Sequence, residues 1–178
     1  MRAHGKLRAA IIAVYLAIGS AFVGFAADSD SIFGVYKNSF LNRDAGGRSF
    51  KSEDILELVK VTDRTAYFRI HLEFYNGHIC AMAGVAERHG NDLTYRSSDT
   101  DSHGNHCVLE IKRSDKALEL DEGTSLSTCQ ELNCGVNGSF KGTSFDLSRR
   151  RDIRYMARLL KSREYADALA EYKAHPKP

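Results

Sequence analysis

The stretch that decides the fold is TAYFRIHLEFYNGHICAMAGVAE, Thr65 to Glu87. Ala66, Phe68, Ile70, Leu72 and Phe74 alternate with Tyr67, Arg69, His71, Glu73 and Tyr75, the period-two pattern of a strand with one buried face. Asn76-Gly77 supplies two residues that tolerate positive φ, as a type I′ turn requires. The return run offers Ile79, Ala81, Ala83 and Val85. The turn predicts a register in which Tyr75 faces His78, Phe74 faces Ile79, Leu72 faces Ala81, Ile70 faces Ala83 and Phe68 faces Val85. Large residues would then meet small ones on the inner face. One residue conflicts with this register. Cys80 falls on the polar face with Glu73 and His78, whereas Cys107 is in phase with apolar Leu109 and Ile111. Either a bulge near Ala83-Gly84 or a covering C-terminal tail would reconcile them.

Working outward, SIFGVYKNSF (Ser31–Phe40), ILELVKV (Ile55–Val61), DLTYR (Asp92–Arg96), HCVLEIKR (His106–Arg113) and LELD (Leu118–Asp121) read as further strands separated by turn signals. GSFKGTSF, Gly138–Phe145, is expected to return as the closing strand, with Phe140 and Phe145 filling one barrel end. After it the texture changes. RRRDIRYMARLLKSREYADALAEYKA, Arg149–Ala174, contains no glycine or proline, and its apolar residues recur at helical spacing. Ser162 stands where a cap for a second helical piece is needed. The predicted fold class is α+β: an antiparallel β-barrel or sandwich of six to eight short strands closed by a C-terminal helical tail. Tyr155, Leu159, Leu160 and Leu169 are expected to pack on the sheet.

The compartment is read from the first residues. MRAHGKLR carries Arg2, Lys6 and Arg8 and no acid, and an uncharged run, Ala9–Ala27, follows. A basic start, an apolar run and a small-residue exit describe a secretory signal peptide, here cut after Ala26. The alternative is an uncleaved membrane anchor, which would be the chain's one attachment to a membrane. The expected organisation is therefore residues 1–26 signal peptide, 27–146 a disulfide-stapled β domain, and 147–178 a helical tail packed on it. The expected destination is the periplasm or the extracellular space.

Export decides how the cysteines are read. Cys80, Cys107, Cys129 and Cys134 are the chain's four cysteines, and an even number in an oxidising compartment reads as two disulfides. Cys129 and Cys134 lack the Cys-x-x-Cys spacing of a redox pair or a zinc knuckle. Three pairings are possible. The expected one clips Cys129 to Cys134 and joins Cys80 to Cys107. Asn137-Gly138 reads as a tight turn that needs glycine at positive φ.

Of 25 Lys and Arg residues, Arg2, Lys6 and Arg8 leave with the signal, so 22 remain against 23 Asp and Glu. Nine of the basic residues and only four acids lie from Leu147 onward, which leaves an acidic body with a basic tail. That distribution, together with export, argues against a nucleic-acid partner. The expected partner is a protein or cell-envelope component. The run Arg149-Arg150-Arg151 with Arg154 and Arg158 suits an anionic partner, or else docks the tail on the acidic body; the second reading is preferred.

The candidate binding face is the hairpin's polar side: Arg69, His71, Glu73, Tyr75 and His78. A histidine beside a carboxylate is also the raw material of general acid–base work. With no nucleophile motif alongside, no residue is assigned as catalytic. DTDSHGNHCVLE, Asp99–Glu110, matches positions 1, 3, 5, 6 and 12 of a calcium loop with Asp99, Asp101, His103, Gly104 and Glu110. His103 stands where an oxygen ligand belongs and the flanks read as strands. No metal or cofactor is therefore assigned.

FGVYKNSF, HLEFYNGHICAMAG and CQELNCGVNGSF together resemble small exported bacterial β-barrels, lysozyme-inhibitor-type domains first and lipocalin-like barrels second. Gly34-Val35-Tyr36 resembles the lipocalin Gly-x-Trp opening with tyrosine in place of tryptophan. CGVNGSF lacks the tyrosine of the inhibitors' exposed loop, so no functional residue is carried across. The resemblance spans residues 31–145 and implies a non-catalytic binding protein, with inhibition of a cell-wall hydrolase as its expected finer role. The alternatives are a lipocalin-like carrier of a small apolar ligand, or a hydrolytic enzyme using His71 and Glu73.

Overall fold

Eight antiparallel strands follow one another in sequence order, each paired with its neighbours. They are β1 (Gly34–Arg43), β2 (Ser49–Lys60), β3 (Thr65–Glu73), β4 (Ile79–His89), β5 (Asp92–Thr100), β6 (His106–Arg113), β7 (Ala117–Asp121) and β8 (Ser144–Asp146). This is a computed structural model, and it describes residues 31–175. The signal-peptide reading of residues 1–26 and the cut after Ala26 lie outside the described residues.

The sheet curls into a nearly closed barrel. β1 and β8 do not form a ladder. Asn38 Nδ2 donates to Ser144 O at 2.9 Å, and just beyond β8 the main chains of Val35 and Arg151 exchange hydrogen bonds of 2.8 and 3.0 Å. The inward side chains fill the interior, with Tyr36, Leu56, Leu58, Phe68, Ile70, Leu72, Leu93, Leu109, Phe140 and Phe145 all fully buried. Burial holds the Tyr36 phenol up at about 12; its hydroxyl donates to Ile32 O at 2.8 Å.

The central hairpin forms, but one residue out of the predicted register. Asn76 and Gly77 adopt φ of 59° and 74°, as the turn demands. However, Phe74 N donates to His78 O while His78 N donates to Tyr75 O. Two residues of one strand therefore oppose one of the other, which is a β-bulge. Leu72 faces Cys80, Ile70 faces Met82 and Phe68 faces Gly84. The slip turns every β4 side chain over. Cys80, Met82 and Ala86 point inward, Ile79, Ala81, Ala83 and Val85 outward. It also removes the conflict over Cys80.

The disulfide pairing differs from expectation. Cys80 bonds Cys134 and Cys107 bonds Cys129. CQELNC is not a clipped turn but part of helix α1 (Leu126–Asn133) and its C-terminal cap, Cys134. Residues five apart on a helix point roughly 140° away from each other and cannot be bridged. Each cysteine instead reaches a different strand, so α1 is stapled to β4 and to β6. Gly138 is also not at positive φ: it is extended, at φ −129°. It must be glycine because a Cβ there would collide with Cys80 Sγ and approach Cys134 Cβ to 3.2 Å.

The two expected helical pieces of the tail form, but the first begins later than Arg149. A 3₁₀ turn at Leu147–Arg149, capped by the Asp146 carboxylate on Ser148 N at 2.8 Å, precedes the strand-like bridge at Arg151. Then come α2 (Met156–Leu159) and α3 (Arg163–Ala174). Ser162 caps α3, its hydroxyl accepting from Tyr165 N at 3.2 Å. The tail covers the outer side of the barrel with Ile153, Leu159, Ala168, Tyr155 and Leu169, against Val35, Val59, Tyr67 and Val85. Leu160, expected to pack, is 44% exposed. The arginine run serves the closure through Arg149 on Asn38 Oδ1, Arg150 on Phe33 O and the Arg151 main chain.

Candidate functional site

Arg69, His71 and Glu73 alternate along β3 with the buried Phe68, Ile70 and Leu72, so all three point outward. They line a cavity of about 390 Å³ on the outer face of the sheet, with Glu53 and Ile55 from β2, Ala81 from β4 and Glu164 from α3. His71 Nε2 and Glu73 Oε1 stand 3.5 Å apart. Glu53 takes a hydrogen bond from Ser39 Oγ at 3.2 Å and an ion pair from Lys37 at 2.5 Å. The bond from Lys37 is the main reason that its carboxyl lies below the usual range.

One wall rests on a buried ion pair. Glu57 and Arg69 are directly opposite in the β2–β3 ladder, and the guanidinium grips the carboxylate through Nε and Nη2 at 2.7 and 2.8 Å. Glu57 is fully buried. The Tyr155 hydroxyl, arriving from the tail, donates to its Oε1, and burial first, then this bond, lifts the Tyr155 phenol to about 12. Arg69 Nη1 also reaches Glu164 Oε2 at 3.4 Å. A bidentate clamp of this kind holds Arg69 in one place. Behind the cavity, Glu73 N donates to Asp54 Oδ1 at 2.9 Å, and burial raises the Asp54 carboxyl above its ordinary range.

The other two predicted residues lie elsewhere. Tyr75 is exposed at the hairpin tip, and His78 sits with Nε2 3.1 Å from Asn137 Nδ2. Neither lines the cavity. Sequence reasoning missed Glu53, Glu57 and Glu164. Glu57 was visible only as the polar member of the alternating ILELVK. That it is buried follows from the tail covering it.

The calcium-loop match is accounted for internally. Asp101 accepts from His103 N and Asn105 N at 2.9 Å each, and from Thr128 Oγ1 of α1 at 2.7 Å. The Thr128 bond leads in holding its carboxyl well below the usual range. Among the described residues no group of three or more His, Cys, Asp and Glu side chains is placed to hold a metal ion. Buried Glu122 similarly anchors Ser139, Phe140 and Lys141. The loops Ser97–Asn105 and Gly135–Gly142 are thereby tied down.

The cavity offers carboxylates, one clamped guanidinium and one imidazole, with no hydroxyl or thiol nucleophile among its lining residues. Such a lining suits recognition of a cationic or hydrogen-bonding group better than covalent chemistry. No protein family, curated protein or solved structure matches this chain.

Proposed function

We propose that this protein is an exported, non-catalytic binding protein that engages another protein through the outer cavity beside α3. The observation that carries the reading is the contrast between inside and outside. Phe68, Ile70 and Leu72 fill the barrel where a lipocalin-like carrier would hold its ligand, while the charged cavity opens outward. The two disulfides fit an oxidising, extracytoplasmic setting. They also favour a rigid scaffold, which lowers the ordering cost of association. The finer reading is that the partner is a cell-wall hydrolase held inactive; a carboxylate-rich cleft suits a cationic protein of that kind.

The test is capture from periplasmic and secreted extracts with the wild type and with Glu73→Lys, alongside lytic activity on peptidoglycan. A protein held by the wild type and released by Glu73→Lys, with lysis suppressed by the wild type alone, is the expected result. Recovery of nothing, combined with a raised melting temperature on adding small apolar ligands, would replace this reading with the carrier.

A further inference from the structure

We infer that the outer edge of β4, at Ala81 and Ala83, is a strand-addition site for an extended partner segment carrying lysine or arginine, an inference that rests on the partner-binding reading above. The direction of the main chain along β4 is fixed by bonds at both ends. His78 O accepts from Phe74 N, and Arg88 N donates to Arg64 O. The register between β3 and β4 is unbroken from Thr65↔Glu87 to Glu73↔Ile79. Even-numbered residues of β4 therefore turn their N–H and C=O groups toward β3, and odd-numbered ones turn theirs away.

On that far side the ladder is short. β4 meets β5 only at Glu87↔Thr94, Arg88↔Leu93 and His89↔Asp92. Below these pairs the strands part, and among the described residues Ala81, Ala83 and Val85 have no ladder partner there. β5 has turned its own groups elsewhere: Ser98 N donates to Glu171 Oε1 of α3 at 3.0 Å. Tyr95 plugs the top of the parting. Its ring lies over Gly84, where a Cβ would come within 2.5 Å of it, and its hydroxyl reaches Glu171 Oε1 at 3.2 Å.

Below the plug the parting is open. A second cavity, of about 680 Å³, is lined there by Ala83, Ser98, Arg163, Glu164, Asp167 and Glu171, among others. It shares Glu164 with the first cavity, whose wall includes Ala81. The exposed edge carries alanines rather than the lysines or prolines that usually guard such edges, so an incoming strand meets no obstruction. Strand addition takes its affinity from main-chain hydrogen bonds and its specificity from pockets for alternate side chains. The pockets here present Glu53, Glu73, Glu164, Asp167 and Glu171 against the guanidiniums of Arg69 and Arg163. Arg69 is matched by Glu57, Arg163 by Asp167 and Glu53 by Lys37, which leaves Glu73, Glu164 and Glu171. The surplus is negative, which selects a basic strand.

The test uses an acetylated and amidated Lys-Val-Lys-Val-Lys-Val peptide, and the same peptide N-methylated along one edge. The Ala81 and Ala83 amides should exchange quickly in the free protein and slow on adding the first peptide. N-methylation should weaken binding about tenfold or more, as loss of main-chain hydrogen bonds does. Ala81→Pro removes a main-chain donor that has no ladder partner among the described residues, so it should keep the wild-type melting temperature and lose the peptide. Slow exchange at Ala81 and Ala83 in the free protein would overturn the inference, because the edge would already be paired. Equal binding of both peptides would overturn it too, while leaving the cavity as a purely electrostatic partner site. Binding of neither peptide would also overturn it, and the capture experiment above would still decide the partner reading independently.

Discussion

The barrel interior and the seam beneath the tail are both apolar cores, but they are built on different principles. Inside, Phe68, Ile70, Leu72, Leu109 and their neighbours pack apolar side chain on apolar side chain, with buried Glu122 holding the Phe140 main chain at the margin, and the disulfides staple α1 over them. Under the tail, the aliphatic contacts are interleaved with tyrosine hydroxyls that donate to carboxylates: Tyr155 to Glu57 and Tyr172 to Glu87. A dry core rewards shape and resists change, whereas a polar seam adds directional bonds whose loss leaves a buried group unsatisfied. The seam borders the cavity, so the second kind of core sets the geometry of the candidate site.

The largest expected effect is on the interior side. Replacing Cys80 and Cys134 together by alanine releases a closure of 54 residues, and replacing Cys107 and Cys129 releases one of 22. Chain-entropy reasoning puts the losses at about 4 and about 3 kcal/mol respectively. Denaturant unfolding of the two double variants checks both the size and the order. If the shorter closure proved the costlier, α1 would matter through its packing more than through its covalent links.

Next comes the seam. Arg69→Met leaves the Glu57 carboxylate buried with only the Tyr155 hydroxyl, at a cost of about 3 kcal/mol. The low end of the usual range applies because the Arg69 side chain is 39% exposed. Glu57→Leu combined with Arg69→Met should recover much of that loss, since an apolar pair can replace a buried ion pair. A double-mutant cycle by urea unfolding gives the coupling. A strictly additive result would mean that the seam gains nothing from its charges.

These two regions were unequally legible in the sequence. Period-two alternation announced β3, β6 and the other strands, because a barrel strand buries every second residue whatever its neighbours do. The disulfide pairing failed because α1 was not recognised within SLSTCQELN, whose mean polarity hid the helix and its staples. The β4 register failed because one bulge residue beside Asn76-Gly77 inverts a whole strand, and turn chemistry alone does not count that residue. At the site, Arg69, His71 and Glu73 could be read as one face. Glu53, Glu57 and Glu164 could not, since their meeting depends on β2 register and on where α3 docks.

A smaller effect depends on pH and belongs to the α1 side of the molecule. The Asp101 carboxyl is held below its ordinary range by Thr128 Oγ1 first and by loop amides. A group depressed in the folded state stabilises it above the unfolded value, about 4 for an aspartate, and loses that contribution as the pH falls further. Melting temperature should therefore decline more steeply below about pH 4 in the wild type than in Asp101→Asn. Parallel acid limbs for the two proteins would show that this carboxylate does not link loop 101–105 to α1.

The smallest effect carries the opposite sign. Tyr67 lies in the seam, fully buried, with its ring edge-on to Tyr165 at a centroid distance of 4.9 Å. Its hydroxyl finds no hydrogen-bond partner among the described residues, and burial, reinforced by the nearby Glu164 charge, raises the phenol well above its ordinary value. A buried donor without a partner costs more than the bond it fails to make is worth. Tyr67→Phe removes that penalty, keeps the ring contact, and should leave stability unchanged or raise it by up to about 1 kcal/mol. Tyr155→Phe, in the same seam, removes a satisfied hydroxyl and exposes the Glu57 carboxylate to the opposite problem, so it should cost about 1 kcal/mol. Thermal melts of the two variants side by side isolate the hydrogen bond from the packing, because each loses one oxygen from one ring, buried at Tyr67 and half-buried at Tyr155. Equal losses in both would show that the Tyr67 hydroxyl has a partner in solution. The Tyr67 and Tyr155 hydroxyls would then be equally satisfied.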